Sequence, residues 1–391
     1  MKMKVNVGFL YGGNSTEHEI SIISAVQAMN HVDLEKYEVV PIYMAKDNTM
    51  YYSQELLNMN IYNDLNKLKQ KATEVILTKK NNEFVLIKNH FPYSIVKKID
   101  IAFPIMHGYN TEDGALAGFL EVLGIPYCES DIYASVVGQD KVLQKEVLKA
   151  HGINVVDYKW FYESEYLNNQ DEVLKEVISL NFPLIVKPAR QGSSVGINVA
   201  HDKEKLMAAI EEAITYDEKI LVEKVIDNLC ELNCSVLGDN THYEPSVIEQ
   251  VYGSDEILSF KDKYMSNSSS KGASKGMAST GRKIPADIPK NIQKNIEEMS
   301  IKACRALNTN GVVRIDYLLN QKTNEVYLNE LNIIPGSLSF YLWSPKNVEY
   351  KDLLTKIIES GIKRYQNKTK KLTSFESNVL SGFSGTKGVK K

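Results

Sequence analysis

Short apolar runs alternate with amphipathic stretches along most of the chain, and the two periods separate strands from helices. Residues 4–11 (KVNVGFLY) form an apolar run of strand length ending on Gly12-Gly13. NSTEHEISIISAVQAMNHV follows as a helix, with Ser15 or Thr16 placed to cap it. Glu17 and Glu19 fall in its first turn, and Ile20, Ile23, Val26 and Ala28 supply part of an apolar stripe. YEVVPIYM at 37–44 is a second strand, so the chain opens as a Rossmann-like βαβ unit. Residues 50–98 are polar and rich in Lys and Asn; EVILT and EFVLI within them are weaker strand signals, read as an insertion or a decorated hairpin.

IDIAFPIMHG at 99–108 predicts a buried strand closing on a loop, and GALAGFLEVLGIPYC a helix running into a strand, which ends a first domain near residue 130. DIYASVVGQDKVLQKEVLKAHGI reads as helical, with Gly152 a natural stop. In FPLIVKPARQGSSVGINVA at 182–200, apolar strands flank a Gly/Ser loop; a helix (203–215) and the strand KILVEKV come next. From 226 the pattern changes to alternating strands, then a polar loop at 253–284, a helix at 289–307 and two more strands. Residues 373–391 have few apolar anchors and are expected to form a flexible tail. No internal repeat is present.

Composition narrows the class. At 391 residues the chain is long enough for two or three domains, and 43% hydrophobic with 24% charged residues excludes disorder as the main state. A net charge of -3 provides no basic field for nucleic acid or an anionic membrane. Cys128, Cys230, Cys234 and Cys304 form no CxxC pair, and no soft ligands accompany them, so free thiols in a reducing compartment are expected. No apolar stretch reaches the roughly 18 residues of a membrane span, and the N-terminus lacks a signal-peptide core. A cytoplasmic protein is the expectation.

Two segments carry chemistry. In QGSSVG at 191–196 the glycines allow backbone amides to approach an anion, and Ser193 and Ser194 add hydroxyl donors. The loop joins two strands and its lysine, Lys187, lies on the first of them, which excludes a Walker-type loop and leaves a phosphate-covering flap or a simple hairpin. VVRIDYLL at 312–319 and EVYLNELN at 325–332 read as an antiparallel hairpin across NQKTN. Alternation puts Arg314 and Asp316 on one face, and Glu330 and Asn332 on one face of the partner, with Val313, Ile315 and Tyr317 opposite. If the register joins those faces, two carboxylates and an amide form a hard-oxygen site suited to Mg²⁺, with Arg314 beside it for a negatively charged intermediate. The alternative is a salt-bridged solvent face. His107, in HGYNTEDG with Glu112 and Asp113, and Glu17 also read as a structural hydrogen-bonder and a helix-dipole carboxylate.

Taken together, GGNSTEHEIS, HGYNTEDG, QDK at 139–141, VKPARQGSSVG, LVEK, DKY at 262–264, RIDY and NELNIIPGS resemble the D-alanine–D-alanine ligases of the ATP-grasp superfamily, in the family's order from about residue 4 to 365. The resemblance implies a three-subdomain α/β ATP-grasp fold with a Rossmann-like N-terminal domain: 1–129 for substrate, 130–223 with the Gly/Ser loop, 224–372 with the metal site and a mobile loop, and the tail 373–391. ATP would lie between the second and third subdomains. Lys141, Lys187 and Ser194 would meet its phosphates, Glu223 and Glu231 its adenine-ribose end, and Lys263 the transferred phosphate. Asp316, Glu330 and Asn332 would bind two Mg²⁺ ions, or Mn²⁺. Glu17, aided by Ser193 and Tyr264, would hold the ammonium of the first D-alanine, with His107 nearby. Arg314 and the Gly336 amide would stabilise the tetrahedral intermediate. The implied activity is ATP-dependent formation of D-alanyl-D-alanine for peptidoglycan, by a homodimer with small-molecule partners only.

The chain departs from the family twice. After NELNIIPGS it continues LSFYLW, which places Tyr341 where a serine for the second substrate's carboxylate is expected; Ser337 or Ser339 could substitute. The segment 265–283 is basic and low in complexity, readable as a linker or as a lid whose lysines meet phosphates. Tyr264 favours a dipeptide over an ester product. The competing readings are a ligase joining D-alanine to D-serine or another amino acid, and a non-catalytic nucleotide-binding relative.

Overall fold

The computed structural model describes residues 4–252, 281–375 and 377. Among the described residues the strands form three sheets. In the first, β1 (Val5–Gly12) pairs in parallel with β2 (Tyr37–Met44) and β7 (Ile101–Pro104), as the βαβ pattern requires. The decorated stretch 50–98 is no separate hairpin: β3 (Met50–Tyr52), β4 (Thr73–Lys80), β5 (Glu83–Lys88) and β6 (Ile95–Ile99) continue the same sheet antiparallel, in the order β6-β5-β4-β3-β2-β1-β7. The second sheet, β10-β9-β11-β8, comprises β8 (Tyr158–Tyr162), β9 (Leu184–Pro188), β10 (Asn198–Ala200) and β11 (Lys219–Lys224). The Gly/Ser loop joins β9 to its antiparallel partner β10. The third sheet, β14-β13-β12-β15-β16, comprises β12 (Leu229–Asp239), β13 (His242–Tyr252), β14 (Gly281–Lys283), β15 (Gly311–Asn320) and β16 (Glu325–Asn332).

One apolar core runs through the first and third sheets, taking in Phe9, Phe103, Leu232, Ile315 and Trp343. The helix Tyr350–Thr369 joins them by packing on both β7 and β15. The second sheet has its own core, including Leu184, Val186, Ile210 and Ile220. A smaller subdomain with a separate core can shift against the rest as a unit.

Several sequence expectations change. Ser15 and Thr16 do not cap the first helix, His18–Met29; Glu17 stands at its N-cap without a side-chain cap bond. Ser15 Oγ is used otherwise, donating to the His107 carbonyl at 2.7 Å and accepting from the Glu17 amide at 3.2 Å. Val26 and Ala28 are buried as expected, Ile20 and Ile23 only half-buried, and Ile22, Ala25 and Met29 complete the apolar face. The same helix also presents the Ser21 and Ser24 hydroxyls to His107. The helical stretch 131–152 breaks at Asp140 into Ile132–Gln139 and Lys141–Ala150. The Asp140 carboxylate caps the second by accepting from the Val142 and Leu143 amides at 2.9 and 3.0 Å, and takes the Lys219 ammonium at 2.9 Å. Of the expected loop 265–283, residues 281–283 are a strand on β13; 265–280, like most of the tail 373–391, lie outside the described residues. All four cysteines are buried thiols without disulfides. No helix among the described residues is long and apolar enough to cross a membrane.

Candidate active site

The hairpin β15–β16 places Arg314 opposite Asn332 and Asp316 opposite Glu330, with the register shifting just after Asp316. Val313, Ile315 and Tyr317 are buried on the other face. Arg314 donates through Nε and Nη2 to the two Asp316 oxygens at 2.6 and 2.7 Å, and Asn332 Nδ2 donates to Asp316 at 3.3 Å. Burial works against the Arg314 charge, and the Asp316 carboxylate more than offsets it. Lys141 Nζ lies 3.6 Å from Glu330 and donates to the Gln191 carbonyl at 2.5 Å, tying the hairpin to the Gly/Ser loop. The Asp316 and Glu330 side chains keep 19% and 28% of their surface exposed, so their oxygens are reachable. This hard-oxygen set fits a divalent cation. No cluster of three or more His, Cys, Asp or Glu side chains is poised for a metal among the described residues, so a cation here must draw on the Asn332 amide and on substrate oxygens.

Behind this hairpin lies a buried charge cluster. Glu223 of β11 takes Lys145 at 2.5 Å on one oxygen and Lys187 of β9 on the other. Lys187 also donates to the Asn329 side chain at 3.1 Å. Burial raises the Glu223 pKa, but the two ammoniums outweigh it and hold the carboxyl at about 2. The Glu223 carboxylate, 1% exposed, is thus paired with two lysines. Lys145, its second partner, carries no motif in the sequence. Glu231 lies on β12, half-buried and opposite Val251 and Leu318.

Across the cleft, Ser193 Oγ donates to Glu17, and the Gly192 backbone packs so closely that a Cβ there would meet Glu17 Oε2 at 2.5 Å. Ser193 and Ser194 both adopt positive φ, 52° and 61°, in the loop between β9 and β10. His107 is buried; its amide donates to Ser21 Oγ at 2.9 Å and its Nε2 lies 3.2 Å from Ser24 Oγ. Burial lowers its pKa to about 4, so it is neutral at physiological pH. Glu112, weakly signalled in the sequence, belongs to the same cluster. It accepts from the Gly108 amide at 2.7 Å and the Ile334 amide at 3.3 Å. Burial, and then the charge of Glu17, push its pKa up to about 8.

The turn Gly336–Leu342 closes the site, with Ser337, Leu338 and Ser339 all left-handed at φ 52°, 52° and 48°. The Ser337 amide donates to Ser24 Oγ at 3.0 Å. The serines expected to stand in for the missing hydroxyl are both buried, at 4% and 0% exposure. Tyr341 donates its hydroxyl to Glu249 at 3.2 Å, and the Arg282 guanidinium stands 5.3 Å from its ring centroid. Burial and Glu249 raise the Tyr341 pKa to about 12. Neither Glu249 nor Arg282 is marked by any local pattern. Lys263 and Tyr264 lie outside the described residues.

Comparison with known proteins agrees with this geometry. The D-ala D-ala ligase N-terminus family matches residues 6–130, and the D-ala D-ala ligase C-terminus family residues 147–359. The D-alanine–D-alanine ligase of Thermosipho africanus is 37% identical over 96% of this chain and 98% of its own, and that of Thermosipho melanesiensis 34% over the same shares. Among solved structures, the D-alanine-D-alanine ligase from Coxiella burnetii superposes with a TM-score of 0.77 at 26% identity, covering 94% of this chain and 96% of that one. The VanG D-Ala:D-Ser ligase from Enterococcus faecalis gives 0.75 at 26%, covering 92% and 100%. The chain belongs to the D-alanine–D-alanine ligase family, with its ATP-grasp fold.

Proposed function

We propose that this protein joins two D-alanine molecules into D-alanyl-D-alanine with ATP, through an acyl phosphate, as a cytoplasmic homodimer supplying peptidoglycan precursors. The observation that carries the reading is the Lys141 ammonium, shared between Glu330 of the hairpin and the Gln191 carbonyl of the Gly/Ser loop. It brings a phosphate-binding loop and a cation-binding hairpin to one point. In this reading residues 1–129 hold the first amino acid, ATP lies between 130–223 and 224–372, and 373–391 is a tail.

A carboxylate is a poor acylating agent, so the first D-alanine must exchange its leaving group. Glu17, oriented by Ser193, holds its ammonium, and neutral His107 packs beside it without competing for the carboxylate. The carboxylate oxygen attacks the γ-phosphorus and ADP leaves, with Lys141, Lys187 and the loop amides neutralising the phosphates. Asp316, Glu330 and Asn332 would hold two Mg²⁺ ions, which would supply positive charge to neutralise the phosphates. The second amine then attacks the acyl carbon and expels phosphate. Arg314 and the Gly336 amide face the developing oxyanion, and Lys263 and Tyr264 complete the set from the segment 253–280.

A second reading, D-serine as acceptor, is favoured by Tyr341 in the serine's place and by the likeness to a D-Ala:D-Ser ligase. Purified protein with ATP, Mg²⁺ and D-alanine, alone and with D-serine or D-lactate, separates them by mass spectrometry. D-Ala-D-Ala with one phosphate released per dipeptide is expected. A mixed product with little from D-alanine alone selects the second reading, and no product with any acceptor, despite ATP binding, overturns both.

A further inference from the structure

On the third sheet the row that carries Asp316 and Glu330 continues to residues with no part in the reaction as assigned above. Glu249 of β13 lies opposite Asn233 of β12, Asn233 opposite Asp316, and Asp316 opposite Glu330. Paired residues share a face, so these four side chains form one rung across the sheet. With strands roughly 4.8 Å apart, Glu249 stands about 10 Å from Asp316 along it. Arg282 enters the same face from the edge strand β14, opposite Val251.

Glu249 is 1% exposed, and such a carboxylate needs partners. It accepts from Asn233 Nδ2 at 3.1 Å and from the Tyr341 hydroxyl at 3.2 Å, and pairs with Arg282 Nη1 at 3.1 Å. The Tyr341 hydroxyl is thereby committed to a protein carboxylate and is not the donor a substrate carboxylate would need. Arg282 is differently placed. A guanidinium has five N–H donors; among the described residues its one ion pair is with Glu249, and its buried Nε has no hydrogen-bond partner. The side chain keeps 23% exposure, and the Tyr341 ring gives its plane a fixed platform.

The turn 336–342 spans the reacting centre. Its Ser337 end is bonded to Ser24, on the Glu17 and His107 side. Its Tyr341 end lies within the fields of Arg314, Asp316, Arg282 and Glu249. Tyr341 stands where the family's hydroxyl for the second substrate's carboxylate is expected, so the acceptor belongs at that end of the turn. We infer that Arg282 reads the carboxylate of the acceptor amino acid, as a specificity-determining contact, with Glu249 and Tyr341 as the positioning residues that aim it. A guanidinium matches a carboxylate bidentately, a role suited to a chain that has tyrosine in place of a short hydroxyl. The inference rests on the ligase reading proposed above.

The test is acceptor competition in the full-length protein with ATP, Mg²⁺, D-alanine and D-alaninamide, which lacks the free carboxylate. Mass spectrometry gives the ratio of dipeptide to dipeptide amide. Wild type is expected to favour the free acid strongly; Arg282→Met should shrink that ratio at least tenfold and raise the KM for the second D-alanine, with the KM for ATP within twofold. Arg282→Lys should fall between. Because Arg282→Met strands Glu249, the Arg282→Met/Glu249→Gln double variant removes the pair together and should show the same loss of discrimination. An active variant that keeps the wild-type ratio overturns the inference and leaves the ligase intact. A wild type that makes neither product removes the ligase reading and the inference with it.

Discussion

Two buried carboxyls on opposite sides of the cleft titrate in opposite directions. Glu223 between Lys145 and Lys187 is held at about 2, whereas Glu112 beside Glu17 is pushed up to about 8. Burial alone raises both, so the sign of the neighbour decides the outcome. The lysine cluster is held together by its charges, with two ammoniums on one carboxylate. The glutamate cluster tolerates two acids in one dry place because Glu112 keeps its proton at neutral pH.

The largest effect is expected where the pairing is tightest. Glu223→Gln leaves two buried ammoniums facing a neutral amide and should cost about 3–5 kcal/mol of stability, read by denaturant unfolding. A midpoint unchanged from wild type would show that water already reaches Lys145. Glu330, paired with Lys141 and more exposed than Glu223, is an intermediate case. Glu330→Gln should lower turnover by about 10²–10³-fold, comparable to losing one transition-state contact, while unfolding stays near wild type. Near-wild-type activity would remove the hairpin from the reaction.

The glutamate cluster yields a smaller, pH-dependent signal. A carboxyl raised from an unfolded value of roughly 4.3 to about 8 stabilises most at low pH, and that contribution is lost as pH rises toward 8. His107, lowered from 6.5 to about 4, has the opposite slope, losing stability as pH falls from 6.5 to 4. The two oppose each other below pH 6.5; from there to about 8 Glu112 acts in the same direction as the buried Glu129, whose pKa is also raised by burial. The thermal midpoint of wild type should therefore fall across that upper window, by the equivalent of at least about 1 kcal/mol, and Glu112→Gln should make the fall shallower. Equal slopes in both proteins would place the proton elsewhere. Smallest of all, Ser15→Ala removes the bond to the His107 carbonyl and should cost about 1 kcal/mol in the same unfolding assay.

These contrasts also mark where the sequence is readable. The hairpin carrying Arg314, Asp316, Glu330 and Asn332 is legible because alternation and a short turn are local patterns, and its register joins the faces that alternation aligns. The strand 37–44 and the loop between β9 and β10 are legible for the same reason. Glu112 is not, since its proton depends on Glu17 from another segment. Asp140 looks like any helix-surface acid until Lys219, on a distant strand, shows why it caps and breaks the helix. Arg282 and Glu249 meet through pairing across β13 and β14, and no spacing announces that contact. Local periodicity finds what one element does; it is silent on charges delivered by another.

The left-handed run Ser337–Leu338–Ser339 bears on how such a protein can change over generations. Each of these L-residues pays roughly 1–2 kcal/mol to sit there, and glycine would relieve it. Leu338, however, is fully buried, and the Ser337 amide is bonded to Ser24 on the first helix. A substitution that relaxes the backbone at Leu338 empties the core, and one that reshapes the turn disturbs the helix beside His107. A change in the turn 336–342 is therefore expected to call for compensating changes on the helix His18–Met29.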